Sequence, residues 1–299
     1  MLFDPRIAML EPFVPHDLAT MLERRALPEG TYDEAIHANV TKRYARLEDV
    51  AIERITYASD GFDVTGTLTR PATIQHASHP LLIFNRGGSD DYGMLTLPGL
   101  LRYHLPFAQA GYLVFASNYR GNDGGTGREE FGGADVADVR TLLDIGKHHP
   151  GWDGRNVFMF GGSRGGMMTY LCIKAGEQLN AAATFAAVSD LFDDAEKWEK
   201  LVERMRARLG ADAPALDDVR RARSAIRWPE ALVHTPLLIM HGDADTVVNV
   251  AQTHALEAAL APMHPALKSI YYPGGNHSLS THSAAMIGET LDWFAQYRR

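Results

Sequence analysis

The chain has 299 residues, 45% hydrophobic and 22% charged, with a formal net charge of −8. This composition excludes disordered and fibrous classes, and 37 acidic against 29 basic residues leave no concentrated basic face for nucleic acid. The single cysteine, Cys172, excludes an internal disulfide and a cysteine-rich metal site; between Leu171 and Ile173 it reads as a buried packing residue.

The N-terminus, Met1-Leu-Phe-Asp-Pro-Arg6, lacks a basic stretch followed by an apolar core, so no signal peptide is expected. No run reaches the roughly 18 apolar residues of a membrane span. The expectation is a cytoplasmic protein with no membrane partner. Residues 1–48 carry Pro5, Pro12, Pro15 and Pro28, and a short amphipathic stretch with Leu18, Met21 and Leu22 on one face. They read as an arm packed on the core, and as a candidate contact in a homo-oligomer.

From residue 49 to 299 the pattern is that of one catalytic unit. Val50–Tyr57 and Phe62–Thr69 alternate as strands around Ser59-Asp60-Gly61, which predicts an antiparallel hairpin at a sheet edge. Leu81–Phe84 is a strand and Leu100–Ala110 a helix. Tyr112–Ala116 is a strand, and 134–148 a helix with Val136, Val139, Leu142 and Leu143 on one side. Val157–Phe160 is a strand, followed by a helix from Arg164. Residues 182–188 are strand-like, and Leu237–Met240 and Ser269–Tyr272 are strands. Helices follow at 251–260 and 284–297. Short apolar strands alternating with helices predict an α/β fold, with a mostly parallel central sheet and helices on both faces. Residues 191–231 interrupt this rhythm with a charged helical stretch, where Trp198, Leu201, Val202, Met205 and Leu209 recur at helical spacing. This small helical insert reads either as a surface helix pair or as a lid over the carboxyl end of the sheet.

Four loops carry the chemistry. Gly161-Gly-Ser-Arg-Gly165 lies between a strand and a helix, the setting of a nucleophile elbow. Such a turn puts Ser163 in a strained conformation at a helix N-terminus, with small neighbours that allow close backbone approach. The Arg164 amide then becomes an oxyanion donor. His241-Gly-Asp-Ala-Asp245 follows the strand ending at Met240, and either Asp243 or Asp245 could be the acid that orients a base. Gly274-Gly-Asn-His277 follows the last strand and offers His277 as general base, completing the chain order Ser, acid, His. Asn85-Arg-Gly-Gly88 follows an earlier strand, and the Gly87 amide is the second oxyanion candidate. Arg86 and Gly162 border these groups as candidates for the substrate pocket. His148-His149 lies outside any metal-ligand spacing, and Gly124-Gly-Thr-Gly127 lacks the third glycine of a dinucleotide loop, so no cofactor and no metal are expected.

Taken together, four segments resemble the catalytic domain of the prolyl oligopeptidase family, an α/β-hydrolase fold. Asn118-Tyr-Arg-Gly-Asn-Asp-Gly-Gly125 is similar to its N-Y-R-G-S-G-G. Gly133-Ala-Asp-Val-Ala-Asp-Val139 resembles the helix before its elbow. Gly161-Gly-Ser-Arg-Gly-Gly166 resembles G-G-S-Y-G-G, and His241-Gly-Asp-Ala-Asp-Thr-Val-Val248 resembles H-G-x-x-D-x-x-V. The resemblance runs from about Val50 to the C-terminus. It implies a triad of Ser163, Asp245 and His277, with oxyanion amides at Gly87 and Arg164. Two departures flank the site: Arg86-Gly-Gly-Ser89 stands for H-G-G-P, and Arg164 for the aromatic after the nucleophile. Typical peptidases of the family place a β-propeller before this domain, where residues 1–48 stand here.

The expected activity is therefore hydrolysis of a carboxylic ester or a short peptide through an acyl-enzyme, with the ester favoured for want of the propeller. The two arginines read either as solvated surface residues, the commoner case, or as a hint of an acidic or carboxylate-bearing substrate. An exopeptidase or oligopeptidase is the near alternative, and an acyltransferase would differ by its acyl acceptor. A binding module on an inactive hydrolase fold would differ by failing to react with a fluorophosphonate.

Overall fold

The computed structural model describes residues 2–13, 49–90, 92–193, 198–201, 203, 207 and 215–299. The described strands build one nine-stranded sheet in the order β1-β2-β3-β5-β4-β6-β7-β8-β9. These are β1 (Ile7–Pro12), β2 (Val50–Ser59), β3 (Phe62–Pro71), β4 (His79–Asn85), β5 (Leu113–Ser117), β6 (Trp152–Gly162), β7 (Ala181–Phe185), β8 (Leu237–Gly242) and β9 (Leu267–Tyr272). β1, β2, β3 and β5 pair antiparallel, and from β5 through β9 all pairings are parallel. The predicted α/β class with a mostly parallel sheet is observed.

The helices are α1 (Leu97–Tyr103), α2 (Leu105–Gln109), α3 (Val136–Lys147), α4 (Arg164–Lys174), α5 (Leu216–Arg223), α6 (Val250–Leu260) and α7 (Ser283–Gln296). Consecutive strand residues point to opposite faces, so one strand feeds two cores. On β6, Val157 and Met159 join Leu142, Leu143, Met168 and Trp228 on one side. Phe158 and Phe160 join Phe107, Trp293 and Phe294 on the other. Cys172 is fully buried in the first of these cores.

The structure departs from the sequence expectation in four places. The hairpin β2–β3 is not at the sheet edge, because Ile7–Pro12 pairs antiparallel along β2 and becomes the outer strand. Pro5 and Pro12 conceal this short strand in the sequence; Pro12 closes it, where a missing N–H costs least. The helix expected over 100–110 is two, broken at His104. Pro106 supplies no N–H and crowds the residue before it, so a new helix starts there instead. β7 stops at Phe185 rather than Val188, because Ala186 turns to a φ of 46°. β6 begins five residues early, at Trp152. The amphipathic stretch of the arm, and Val202, Met205 and Leu209 of the insert, lie outside the described residues.

The register aligns the carboxyl ends of the strands. Asn85 pairs with Gly161, Gly162 with Phe185, Met240 with Phe185 and Gly242 with Tyr272. The loops after β4, β6, β8 and β9 therefore emerge side by side, where open α/β sheets hold their ligands.

Candidate active site

Ser163 sits between β6 and α4 with φ 56° and ψ −124°, a conformation few non-glycine residues adopt. The turn is held by the Ser163 amide donating to Phe185 O at 2.9 Å and by Ser163 O accepting from Gly166 N at 3.0 Å. Two glycines are sterically required around it. A Cβ at Gly165 would meet Asn85 O at 1.9 Å, and one at Gly162 would meet the Phe185 ring at 2.1 Å. The elbow can thus press against β4 and β7 only with glycine at these positions. α4 starts at Arg164, so its N-terminus and positive dipole end lie directly beside the serine.

His277 and Asp245 come together from the loops after β9 and β8. His277 Nδ1 lies 2.7 Å from Asp245 Oδ2. Asp243, the other carboxylate open from the sequence, is exposed and instead accepts the Gly274 amide at 2.6 Å. The Asp245 side chain is buried and fully occupied. Oδ1 accepts the amides of Val247 at 2.7 Å and Val248 at 3.0 Å, and Oδ2 lies 3.0 Å from His241 Nε2. Burial opposes the charge, but the hydrogen bonds of His241 and His277 and the two amides hold the carboxyl well below the usual carboxylate range.

His241 was quoted in the sequence motif without a role. The structure makes it a second imidazole on the same carboxylate, fully buried, with Nδ1 2.6 Å from Thr253 Oγ1. The visible signal was its place at the head of the motif, four residues before Asp245.

Ser163 and His277 face one cavity of about 630 Å³, which Gly87, Gly162 and Arg164 also border. A Cβ at Gly87 would lie 3.2 Å from Ser163 Cβ, which places this backbone against the serine. The remaining walls are largely apolar: Phe84, Tyr103, Phe185, Met94 and Leu95, with Trp198 and Leu201 from the insert. Tyr103 stacks between Phe84 and Phe185, with centroid separations of 5.4 and 5.5 Å. Tyr92 stands at the rim, 83% exposed.

The expectation that Arg86 and Arg164 offer charge to an acidic substrate does not fit their surroundings. They are 2% and 1% exposed. Arg86 donates to the carbonyls of Gly87, Asp90, Tyr92 and Asn118. Arg164 donates to Gly88 O, Glu129 and Asp135. A guanidinium at such depth must be paired, and the carboxylates supplied by the 129–135 loop use the charge internally. Burial, with Arg164 alongside, pushes Arg86 down to about 10. Burial also opposes the charge of Arg164, yet Asp135 and Glu129 outweigh it and raise its pKa. Glu129 was not singled out in the sequence, and Asp135 entered only within the segment Gly133–Val139, without a role. Among the described residues, no group of three His, Cys, Asp or Glu side chains is placed to hold a metal, and no helix is long and apolar enough to cross a membrane.

Fold and site together define an α/β hydrolase. Residues 102–299 match the profile of the prolyl oligopeptidase family. An uncharacterized peptidase of Bacillus subtilis (strain 168), YtmA, is 30% identical over 231 residues, covering 77% of this chain and 87% of that one. The chain belongs to the prolyl oligopeptidase family, and it is a serine hydrolase. Two solved structures share the fold. A puromycin-hydrolyzing peptidase of Mycobacterium tuberculosis is 23% identical with a TM-score of 0.64, over 79% of this chain and 37% of that longer one. Esterase B of Lactobacillus rhamnosis is 18% identical with a TM-score of 0.64, over 93% and 96%.

Proposed function

We propose that the protein hydrolyses carboxylic esters of apolar acyl groups through an acyl-enzyme, with Ser163 as nucleophile, His277 as general base and Asp245 as its orienting acid. The observation that carries this reading is the 2.7 Å contact of His277 Nδ1 with Asp245, beside a serine on a positive-φ elbow in the same cavity. Ser163 Oγ attacks the carbonyl carbon while its proton passes to His277 Nε2. Asp245 holds Nδ1–H and stabilises the imidazolium. The amides of Gly87 and Arg164 receive the developing oxyanion at the N-terminus of α4. Collapse expels the alcohol with the proton from His277. Water then repeats the sequence on the acyl-enzyme and releases the acid.

The apolar walls support an uncharged acyl group, since burying a charge there without a partner is costly. Trp198 and Leu201 support the lid reading of the insert 191–231, and the pairing of β1 supports an arm that packs on the core. A peptidase reading is favoured by the similarity to a protein named as a peptidase. Initial rates on a p-nitrophenyl acyl ester and an aminoacyl-anilide separate the two. The ester is expected to turn over faster. Ser163→Ala is expected to lower that turnover at least about a thousandfold. Unchanged turnover in this variant would end the proposal, and comparable cleavage of the anilide would turn it to a small peptidase.

A further inference from the structure

A cluster of buried charges lies behind the Gly87 loop, in a place the hydrolytic steps do not use. Arg164 Nη1 donates to Gly88 O at 3.0 Å and to Glu129 Oε2 at 2.7 Å, and Nη2 to Asp135 Oδ2 at 2.5 Å. Glu129 Oε1 accepts the Asp90 amide at 2.8 Å. One ion pair therefore grips the loop at both Gly88 and Asp90. Arg86 takes the carbonyls of Gly87, Asp90 and Tyr92 in the same loop, at 3.0–3.1 Å. Asp135 in turn is tied to the amides of Gly132 and Gly133. Both guanidiniums lie over the ring of Tyr119, their carbons 4.9 and 4.5 Å from its centroid. Its hydroxyl donates to Arg86 O at 2.9 Å.

This last bond has a geometric consequence. In a trans peptide the C=O of Arg86 and the N–H of Gly87 point in opposite directions. Holding that carbonyl on Tyr119 turns the Gly87 N–H the other way, out of the network. Two arginines and two carboxylates also cancel, so the assembly fixes position rather than adding net charge near the oxyanion.

We propose that Arg164 is a positioning residue: with Glu129 it clips the loop 86–93 to the nucleophile elbow, so that the Gly87 amide is held where the substrate oxygen becomes negative. The residue following the nucleophile thus acts twice, through its backbone on the oxyanion and through its side chain on the other donor. This rests on the reading of Ser163 and Gly87 given above.

The test compares wild type, Arg164→Lys, Arg164→Met and Glu129→Gln on a p-nitrophenyl ester. An alkyl boronic acid, whose serine adduct is tetrahedral, and the corresponding carboxylic acid product are the inhibitors. The expected result for Arg164→Met and Glu129→Gln is a kcat lower by about 10- to 100-fold, with KM within about threefold. Boronate affinity falls in parallel with kcat/KM while product affinity holds, and Arg164→Lys recovers part of the loss. If Arg164→Met does not fold, the isosteric Glu129→Gln carries the test. Folded variants that keep wild-type kcat, or that lose product and boronate affinity equally, overturn the clip while leaving the triad intact. A wild-type protein that neither turns over ester nor labels with a fluorophosphonate overturns the triad and the clip together.

Discussion

Two polar assemblies flank Ser163, and they are built on opposite terms. On one side Asp245 serves two imidazoles, His277 and His241, and the His277 side chain is 24% exposed. On the other, Arg86 and Arg164 meet Glu129 and Asp135 with every side chain at 2% exposure or less. In the mechanism proposed above, the first assembly passes a proton through His277, whose side chain keeps one edge open to the cavity. The second uses guanidiniums, which keep their proton, and closes them away from water. On the proposed reading, one site separates a part that changes state from a part that holds still. Which side chain occupies which part is decided by exposure and by the type of cation.

The largest effect that would sharpen this contrast is expected on the proton-moving side. Asp245→Asn should lower kcat by about 10³- to 10⁴-fold, because the imidazole loses the acceptor that fixes its tautomer. Asp243→Asn should leave kcat within about twofold, since the Asp243 carboxylate accepts only the Gly274 amide among the described residues. Steady-state kinetics on one ester checks both, and equal losses would erase the distinction between the two carboxylates.

A buried base with no carboxylate shows what the pairing of Arg164 avoids. His104 is fully buried at the break between α1 and α2, and its Nε2 has no hydrogen-bond partner among the described residues. Burial pushes its pKa down to about 3. Folded His104 is neutral, whereas the unfolded chain protonates below about pH 6.5, so the unfolded state binds more protons and stability falls as pH drops from there towards 3. Between pH 7 and pH 5 this residue alone costs about 2 kcal/mol of unfolding free energy. His104→Phe should shrink the difference between urea unfolding free energies at the two pH values by about that amount. An unchanged difference would show that the imidazole is not the acid-sensitive group.

A smaller loss than that of Asp245→Asn is expected at His241. His241→Gln removes one partner of the Asp245 carboxylate but keeps the Val247 and Val248 amides and His277. It should lower kcat about tenfold, well short of Asp245→Asn. A loss as large as that of Asp245→Asn would mean that the two imidazoles act as one unit.

The sequence by itself determined the strand and helix alternation, and with it the fold class, because apolar periodicity is local and each core strand is buried on both faces. It also determined the elbow, since Gly162 and Gly165 are demanded by contacts that every such turn must make. It left Asp243 and Asp245 equivalent by residue physics. The family resemblance pointed to Asp245, and the folded loops distinguish the two by partner: both reach the loop after β9, Asp245 meeting the His277 imidazole and Asp243 the Gly274 backbone amide. β1 escaped notice because its evidence is a partner strand more than 40 residues away, and prolines at its ends weaken the local signal. The arginines were misread for the same reason. Arg86 and Arg164 look like solvated surface residues, or charges offered to a ligand, until Glu129 and Asp135 arrive from another loop, and burial with paired charge is a property of the tertiary structure alone.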